Sequence, residues 1–221
     1  MVAVWTPAQL AEFLSSVAGH PLFAACHLVA MRGLRRGEAC GLTWDDLDLD
    51  EGIAYISRQL QQGSDGQLRV CPLKTECSRR AVALDPETII VLRAHRSRQE
   101  RQFIKAGITP QGWVFTREDG EPLSPSYLTH KFNDLVEEAG LPPVRLHDLR
   151  HGAATLMLLA GEELKTIADQ LGHSSVVLTA DTYLSVAVEL GLKAAAAAAR
   201  LVLRAARARR AAAAPEGAAL L

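Results

Sequence analysis

The sequence predicts an α+β domain that is mostly α-helical and carries one small three-stranded antiparallel sheet. Apolar residues recur at helical spacing toward both ends of the chain, whereas residues in the middle alternate between apolar and polar as strands do. The chain has 221 residues, 48% of them hydrophobic, which suffices for one core-bearing domain.

The N-terminal part is predicted to be helical. Thr6 followed by Pro7 is typical of an N-cap and a first helical position, and Leu10, Phe13 and Leu14 give this helix an apolar face. The prediction continues with a buried helix that ends near Gly33, a short helix and an acidic loop, at residues 23–31, 36–42 and 45–51.

The middle of the chain predicts the sheet. Ile53 and Tyr55 alternate with Ala54 and Ile56, which is the periodicity of a strand. Turn residues and two more strand-like segments follow. The three predicted strands cover residues 52–60, 68–73 and 79–84, and the second turn covers 74–78.

Helices resume after the sheet. Asp85 with Pro86, and Ser124 with Pro125, each combine an N-cap residue with proline at the first helical position. Gly140 ends the second of these helices. Further helices are predicted at 147–160, 164–171 and 175–188, and an Ala-, Leu- and Arg-rich helix at 192–214.

Composition excludes several classes of protein. No run of apolar residues is long enough to span a membrane, and the first ten residues lack the pattern of a secretion signal. The four cysteines form no CxxC pair, so no structural zinc site is expected and the thiols should be reduced. We therefore expect a cytoplasmic protein with no membrane partner.

The charge of the chain is unevenly distributed. The formal net charge is −1, but residues 192–221 contain six basic residues and one acid, which leaves 18 basic and 24 acidic residues in 1–191. A nucleic-acid enzyme with such an acidic body must concentrate positive charge at its site.

The segment from His147 to His151 carries the densest group of reactive side chains. Positions i, i+3 and i+4 of a helix share a face, so His147, Arg150 and His151 are predicted to point the same way. An arginine beside two imidazoles at a helix start suits an anion. A solvated polar face and a metal pair are the other interpretations, although Arg150 would repel a cation.

Three other segments are weaker signals taken singly. Arg35 and Glu38 can pair within one turn, Lys74 lies at the tip of a predicted hairpin, and Gly172 ends a helix so that His173 follows in a tight connection. Each also fits an ordinary role, as a surface ion pair, an exposed turn residue or a helix cap.

Taken together and in order, these segments resemble a known family. GLRRGE, LKTECSRRAVAL, HDLRHGAATLML and LGHSSVVLTADTY are similar to the successive boxes of the tyrosine recombinases, and the resemblance covers residues 6–188. Tyr183 follows His173 by ten residues, where many members have nine. The resemblance implies the tyrosine-recombinase catalytic fold.

The resemblance also implies site-specific DNA recombination through a 3′-phosphotyrosine intermediate, with no metal, ATP or other cofactor. Tyr183 would be the nucleophile, and five more positions match catalytic residues: Arg35, Lys74, His147, Arg150 and His173. Glu38 matches the acidic residue that supports the first arginine, and His151 matches a position of less defined role. Six arginines are expected to contact DNA: Arg36, Arg79, Arg80, Arg200, Arg204 and Arg207.

The implied organisation is a catalytic domain over residues 1–191 and an Ala/Arg-rich helix and tail over 192–221. Family members usually carry an N-terminal DNA-binding domain, which we expect to be absent, so that the chain alone should bind DNA weakly. The expected partners are double-stranded DNA, further copies of the chain in a tetramer on DNA, and an accessory DNA-bending protein. The basic tail could instead be a solvated segment or dock on a neighbouring copy.

Two other functions fit parts of the sequence. Residues 167–174 resemble the first helix and turn of a helix-turn-helix regulator, but residues 176–178 are apolar where a polar recognition helix is required. A type IB topoisomerase shares the nucleophile chemistry, but the chain length and the spacing of the boxes favour a recombinase.

Overall fold

A computed structural model describes residues 4–73, 78–172, 199–200 and 204 of the chain. The chain divides into two compact units, residues 1–180 and 181–221. In the second unit the described residues are Ala199, Arg200 and Arg204, which are helical and exposed. The architecture below is that of the first unit.

Three helices precede the sheet: α1 (Pro7–Ser16), α2 (Phe23–Arg32) and α3 (Arg36–Cys40). The predicted start of α1 is confirmed, because the Thr6 side chain accepts a hydrogen bond from the Gln9 amide and Gln9 Oε1 accepts one from the Thr6 amide. This reciprocal cap satisfies two amide donors that the first turn leaves without helical partners. The helix α2 ends as predicted at Gly33, whose φ of 67° is left-handed.

In the sheet region, the described residues form five short strands rather than three. They are β1 (Leu47–Asp48), β2 (Ile53–Ile56), β3 (Arg58–Gln62), β4 (Leu68–Pro72) and β5 (Arg80–Ala83). A three-stranded antiparallel sheet has the order β1-β2-β5, and β3 and β4 form a separate antiparallel pair. The predicted single strand over 52–60 is therefore wrong in detail, as it breaks at Ser57 into β2 and β3. The predicted pairing of the strands over 68–73 and 79–84 in one hairpin is also wrong, since β4 pairs with β3 and β5 pairs with β2.

The break at Ser57 has a physical reason. Ala54 and Ile56 of β2 are buried, whereas β3 carries Gln59, Gln61 and Gln62, which are costly to bury without partners. The chain therefore changes strand partner where its composition changes. The predicted acidic loop over 45–51 also contains structure, namely a 3-10 turn at Trp44–Asp46 followed by β1.

Up to residue 172, four helices follow the sheet: α4 (Pro86–Ala106), α5 (Pro125–Glu138), α6 (Asp148–Leu159) and α7 (Leu164–Leu171). Both predicted N-caps are confirmed, since the Asp85 carboxylate accepts from the Thr88 amide and the Ser124 hydroxyl accepts from the Tyr127 amide. The predicted helix over 175–188, and most of the one over 192–214, lie outside the described residues.

Among the described residues, a hydrophobic core cluster includes members of helices α1 to α6 and of strands β2, β3 and β5. Phe13 and Phe132 are fully buried and pack edge to face with ring centroids 5.4 Å apart, and Trp5 lies against both. The core extends through Leu28 of α2 and Leu92 of α4. The predicted fold class, mostly helical with a small antiparallel sheet, is confirmed. None of the helices in the described ranges has the length and hydropathy needed to cross a bilayer.

Candidate active site

The largest group of predicted site residues lies along a cleft of about 840 Å³. Its walls come from α3, β3, α5 and the segment that leads into α6. Four predicted residues line it: Arg35, Arg36, Glu38 and His147. Lys74, His173, Tyr183 and Arg207 lie outside the described residues.

Arg35 and Glu38 form the ion pair that the sequence predicts. Arg35 Nη1 lies 2.6 Å from Glu38 Oε1, and the Arg35 amide donates to Oε2 at 2.9 Å. The Glu38 side chain is fully buried, whereas 36% of the Arg35 side chain is exposed. The buried carboxylate thus fixes a guanidinium that opens into the cleft.

A second arginine shares the carboxylate of Glu38. Arg80 Nη2 lies 2.9 Å from Oε2 and Nη1 lies 3.3 Å from Oε1, and only 6% of the Arg80 side chain is exposed. Burial alone would raise the pKa of Glu38, but hydrogen bonds and charge from Arg80 and Arg35 outweigh it and hold the pKa below its usual value. Glu38 is therefore ionised at neutral pH.

Three arginines from separate segments donate hydrogen bonds to three consecutive carbonyl groups at the C-terminal end of α7. The last of these carbonyls belongs to the cap residue Gly172. Arg80 Nε donates to the Gln170 carbonyl at 2.7 Å, Arg150 Nη2 donates to that of Leu171, and Arg35 Nη2 donates to that of Gly172 at 3.3 Å. Helix C-terminal carbonyls lack helical partners and carry partial negative charge, so cations stabilise them. These contacts fix the point at which the chain leaves α7 toward His173.

Arg150 lies deeper than the sequence predicts. Its residue surface is 3% exposed, and Nη1 donates to the Gly33 carbonyl at 2.7 Å. The predicted shared face of His147, Arg150 and His151 is therefore only partly correct, because the arginine reaches inward between the ends of α2 and α7. Helical spacing gives the direction in which a side chain leaves the helix, but not the depth of the neighbouring elements.

His147 and His151 lie next to each other at the start of α6. Their ring centroids are 5.5 Å apart and the rings are perpendicular. Partial desolvation lowers the pKa of His147, and the nearby His151 and Arg150 lower it further. Desolvation also lowers the pKa of His151, partly opposed by Asp148. Both imidazoles therefore favour the neutral form at pH 7.

The arginines expected to contact DNA differ in exposure. Arg36 is exposed at the cleft and donates to the Thr129 hydroxyl, and Arg79, Arg200 and Arg204 are exposed. Among the described members of this set, Arg80 is the exception. Its buried side chain bonds to Glu38 and main-chain oxygens, so its expected DNA contact is replaced by an internal role.

Arg145 is a cleft residue that the sequence pattern did not single out. Its side chain is 75% exposed, and Nε and Nη2 each lie 2.8 Å from the carboxylate of Asp148, which is nearly buried. Its position two residues before His147 was the available signal. Polar side chains on β3 and α5 also line the cleft without any sequence signal: Gln59, Gln61, Gln62, Ser126, Thr129 and Asn133.

The described residues contain no cluster of side chains that could bind a metal ion. Within those ranges no three His, Cys, Asp or Glu side chains are grouped to hold an ion. Cys26 and Cys40 are buried, and burial raises the pKa of both thiols to about 12.

Comparison with known proteins identifies the family. A family model described as the phage integrase family matches residues 7–189. The chain belongs to this family. The match includes the boxes that contain Arg35, Arg150 and Tyr183, so the resemblance inferred from the sequence is confirmed.

Relatives and solved structures agree with membership of the phage integrase family. The chain is 30% identical over 195 residues to a tyrosine recombinase XerC-like protein of Caldanaerobacter subterraneus subsp. tengcongensis, which covers 82% of this chain and 50% of that protein. It is 32% identical over 186 residues to the ICEBs1 integrase of Bacillus subtilis, with coverage of 81% and 49%. The chain thus spans about half the length of these curated relatives.

A solved structure of the Tn1549 transposon integrase in complex with transposon right-end DNA superposes with a TM-score of 0.71 at 26% identity, covering 82% of this chain and 61% of that one. The XerA recombinase shares the fold, with a TM-score of 0.65 at 23% identity over 82% of this chain and 60% of that one. The two curated relatives and the Tn1549 protein are recombinases or integrases, so neither the helix-turn-helix regulator nor the type IB topoisomerase is favoured.

Proposed function

We propose that this chain catalyses site-specific recombination by cleaving and rejoining DNA strands through a 3′-phosphotyrosine intermediate. The observation that carries the proposal is the cleft in which Arg35, Arg36 and His147 face the same space. A cationic cleft of this kind suits a phosphodiester, and integrase-family membership supplies the reaction class.

The proposed nucleophile is the hydroxyl of Tyr183. At a reference pKa near 10, about one tyrosine in a thousand is ionised at pH 7, a cost of roughly 4 kcal/mol that neighbouring cations would reduce. The phenolic oxygen attacks phosphorus and the bond from phosphorus to the 5′-oxygen breaks. Attack by another strand's 5′-hydroxyl reverses the step, so bond energy is kept and neither ATP nor a metal is required.

Arg35, Arg150 and His173 are proposed to stabilise the charge that builds on the non-bridging phosphate oxygens. The support for Arg35 is its guanidinium, which the buried Glu38 fixes while part of it opens into the cleft. Losing one such donor typically lowers the rate by about 10²–10³-fold. A guanidinium that is already held in place needs no reorganisation in the transition state.

Lys74 and His147 are proposed to handle protons. The leaving 5′-oxygen needs a proton, and Lys74, which lies in the sequence between β4 and β5, is the candidate acid. His147 lines the cleft and favours its neutral form, so it can accept a proton or hydrogen-bond the phosphate. His151, whose ring packs against that of His147, would support its orientation.

The proposed partner is double-stranded DNA, bound by a tetramer of the chain with help from a DNA-bending protein. Arg36 and Arg79 would contact the phosphate backbone beside the cleft, and Arg200, Arg204 and Arg207 would contact it or a neighbouring copy. Such contacts weaken as salt increases, because each phosphate contact releases counterions.

The experiment is covalent capture on a pool of nicked duplexes whose sequence around the nick is randomised. Cleavage beside the nick releases a short fragment, so the protein remains joined to DNA and is seen on denaturing gels. The wild-type chain is expected to form an adduct whose captured DNA yields a site sequence. Tyr183→Phe should form none. An adduct that persists in Tyr183→Phe, or no wild-type adduct at all, would contradict the proposal.

A further inference from the structure

Arg80 makes only internal contacts among those resolved in the described residues. Its guanidinium bonds to both oxygens of Glu38, to the Gln170 carbonyl at 2.7 Å and to the Ser78 carbonyl at 3.0 Å. Its side chain is 6% exposed, compared with 36% for Arg35. The two arginines therefore share one carboxylate, but only Arg35 opens substantially toward solvent.

The charges of these three residues do not cancel. Two guanidinium groups and one carboxylate leave one positive charge, and Arg35 is the member that lines the cleft. If Glu38 had Arg35 as its only cation, the pair would be neutral and its attraction for a phosphate would be weak. Charges a few ångströms apart near a protein surface interact strongly enough for this difference to matter.

We propose that Arg80 is a positioning residue that neutralises the buried Glu38, so that Arg35 keeps its positive charge for a phosphate in the cleft. Glu38 can then hold Arg35 in place by hydrogen bonds without cancelling its charge. The inference rests on the proposed function in one respect, namely that the bound phosphate belongs to DNA.

Arg80 also connects this charge arrangement to the end of α7. The same guanidinium that bonds to Glu38 bonds to the Gln170 carbonyl, and a Cβ at Gly172 would lie 2.9 Å from Arg80 Nη1. The guanidinium is thus enclosed by backbone on one side and by Glu38 on the other. This enclosure keeps Arg80 away from the cleft and fixes which oxygens it can reach.

The test measures binding of inorganic phosphate to the full chain by thermal unfolding, with chloride at matched ionic strength as the reference. A ligand that binds the folded state raises the melting temperature by an amount that grows with the logarithm of the ratio of ligand concentration to Kd, so a phosphate titration gives Kd for each protein. Four proteins are compared with the wild type: Arg80→Leu, Arg80→Lys, the double variant Arg80→Leu with Glu38→Gln, and Arg58→Leu as the matched control. Arg58 pairs with the largely buried Asp46 and does not line the cleft.

Arg80→Leu is expected to weaken phosphate binding by at least about tenfold. The phosphate affinity of the double variant should lie within about threefold of that of the wild type. Removing both the Arg80 and the Glu38 charge leaves the single positive charge of Arg35, which is the net charge of the wild-type group. Arg80→Lys and Arg58→Leu should also stay within about threefold. A merely structural role for Arg80 predicts the opposite for the double variant, which loses a second set of buried hydrogen bonds.

Several results would overturn the inference. The first is a double variant whose phosphate affinity is no higher than that of Arg80→Leu. The second is an Arg80→Leu protein with normal phosphate affinity, and the third is a wild type whose melting temperature phosphate does not raise. Should Arg80→Leu fail to fold, the double variant and Arg80→Lys decide the question, since both must retain near-normal affinity.

A cleavage assay separates this inference from the proposed function. In single-turnover cleavage of captured site DNA, Arg80→Leu should lower the rate at saturating DNA and the double variant should restore it. The absence of any wild-type adduct would contradict the recombinase proposal, while phosphate binding would still support or overturn the role of Arg80.

Discussion

Arg150 Nη1 donates to the main-chain oxygen of Gly33 across 2.7 Å and so joins the start of α6 to the end of α2. Its Nη2 reaches the Leu171 carbonyl, so one side chain joins three helices. Two predicted site segments, GLRRGE and HDLRH, are therefore held together by a residue that the family resemblance assigns to catalysis. Arg150 should accordingly matter for stability as well as for activity.

Arg150→Ala is expected to lower the free energy of unfolding by about 3–5 kcal/mol, because it leaves two buried carbonyls without charged donors and opens a cavity. Urea unfolding monitored by circular dichroism measures this change. Arg101→Ala, on the exposed side of α4, should change stability by less than about 0.5 kcal/mol. A loss for Arg150→Ala as small as that of the control would contradict the contacts described.

Gly33→Ala should destabilise the protein more than Gly140→Ala does. The two glycines have nearly equal φ angles, 67° and 65°, so both substitutions carry a similar backbone cost of about 1–2 kcal/mol. A Cβ at Gly33 would overlap Leu171 Cδ2 and lie 3.3 Å from Ala153 Cβ, whereas nothing lies within 4 Å at Gly140. The difference between the two melting temperatures measures the packing cost, and equal temperatures would rule it out.

Stability should decrease on mild acidification, in part because of His95. Burial lowers the pKa of His95 and Arg98 lowers it further, against the opposing hydrogen bond to the Val114 carbonyl. As pH falls from 7 toward 5, the unfolded chain takes up a proton at this position more readily than the folded chain, so the free energy of unfolding falls.

The variant His95→Gln removes this proton uptake, so its unfolding free energy should fall less than that of the wild type between pH 7 and pH 5. Urea titrations at both pH values give the comparison. His27, His147 and His151 also have lowered pKa values, so the variant should retain part of the decrease. A decrease as large as in the wild type would show that His95 titrates normally.

The thiols should differ in reactivity. Burial raises the pKa of Cys26 and Cys40 to about 12, whereas Cys71 is partly exposed on β4. In a Cys77→Ser background, iodoacetamide at pH 8 should modify one thiol quickly in the native state and all three in urea. Peptide mapping identifies the modified residue. Rapid native labelling of Cys26 or Cys40 would contradict the packing of α2 and α3.

Local signals in the sequence were sufficient to predict most helix boundaries. Thr6, Asp85 and Ser124 begin their helices as predicted, because an N-cap bond depends on residues within one turn. The ion pair between Arg35 and Glu38 was predictable for the same reason, since its partners are three residues apart.

Features that depend on distant parts of the chain were not predictable. From the sequence, Arg80 is expected to be a surface cation. Nothing in the sequence indicates that it pairs with Glu38, 42 residues away, or with the Gln170 carbonyl. The depth of Arg150 likewise depends on α2 and α7. Sequence alone assigns charge to a residue, whereas burial and partners are set by how remote elements pack.

The separation of β3–β4 from the three-stranded sheet has a consequence for how such a protein can diversify. The antiparallel pair of β3 and β4 supplies Gln59, Gln61 and Gln62 to the cleft wall. The strands β2 and β5 pair with each other, and β5 holds Arg80 beside Glu38. Substitutions at these three glutamines can therefore accumulate with little penalty to the core, in contrast to substitutions at Leu60 of β3, which is buried in it. Under the proposed function, selection for a new DNA sequence would have these three positions of the cleft wall available for variation.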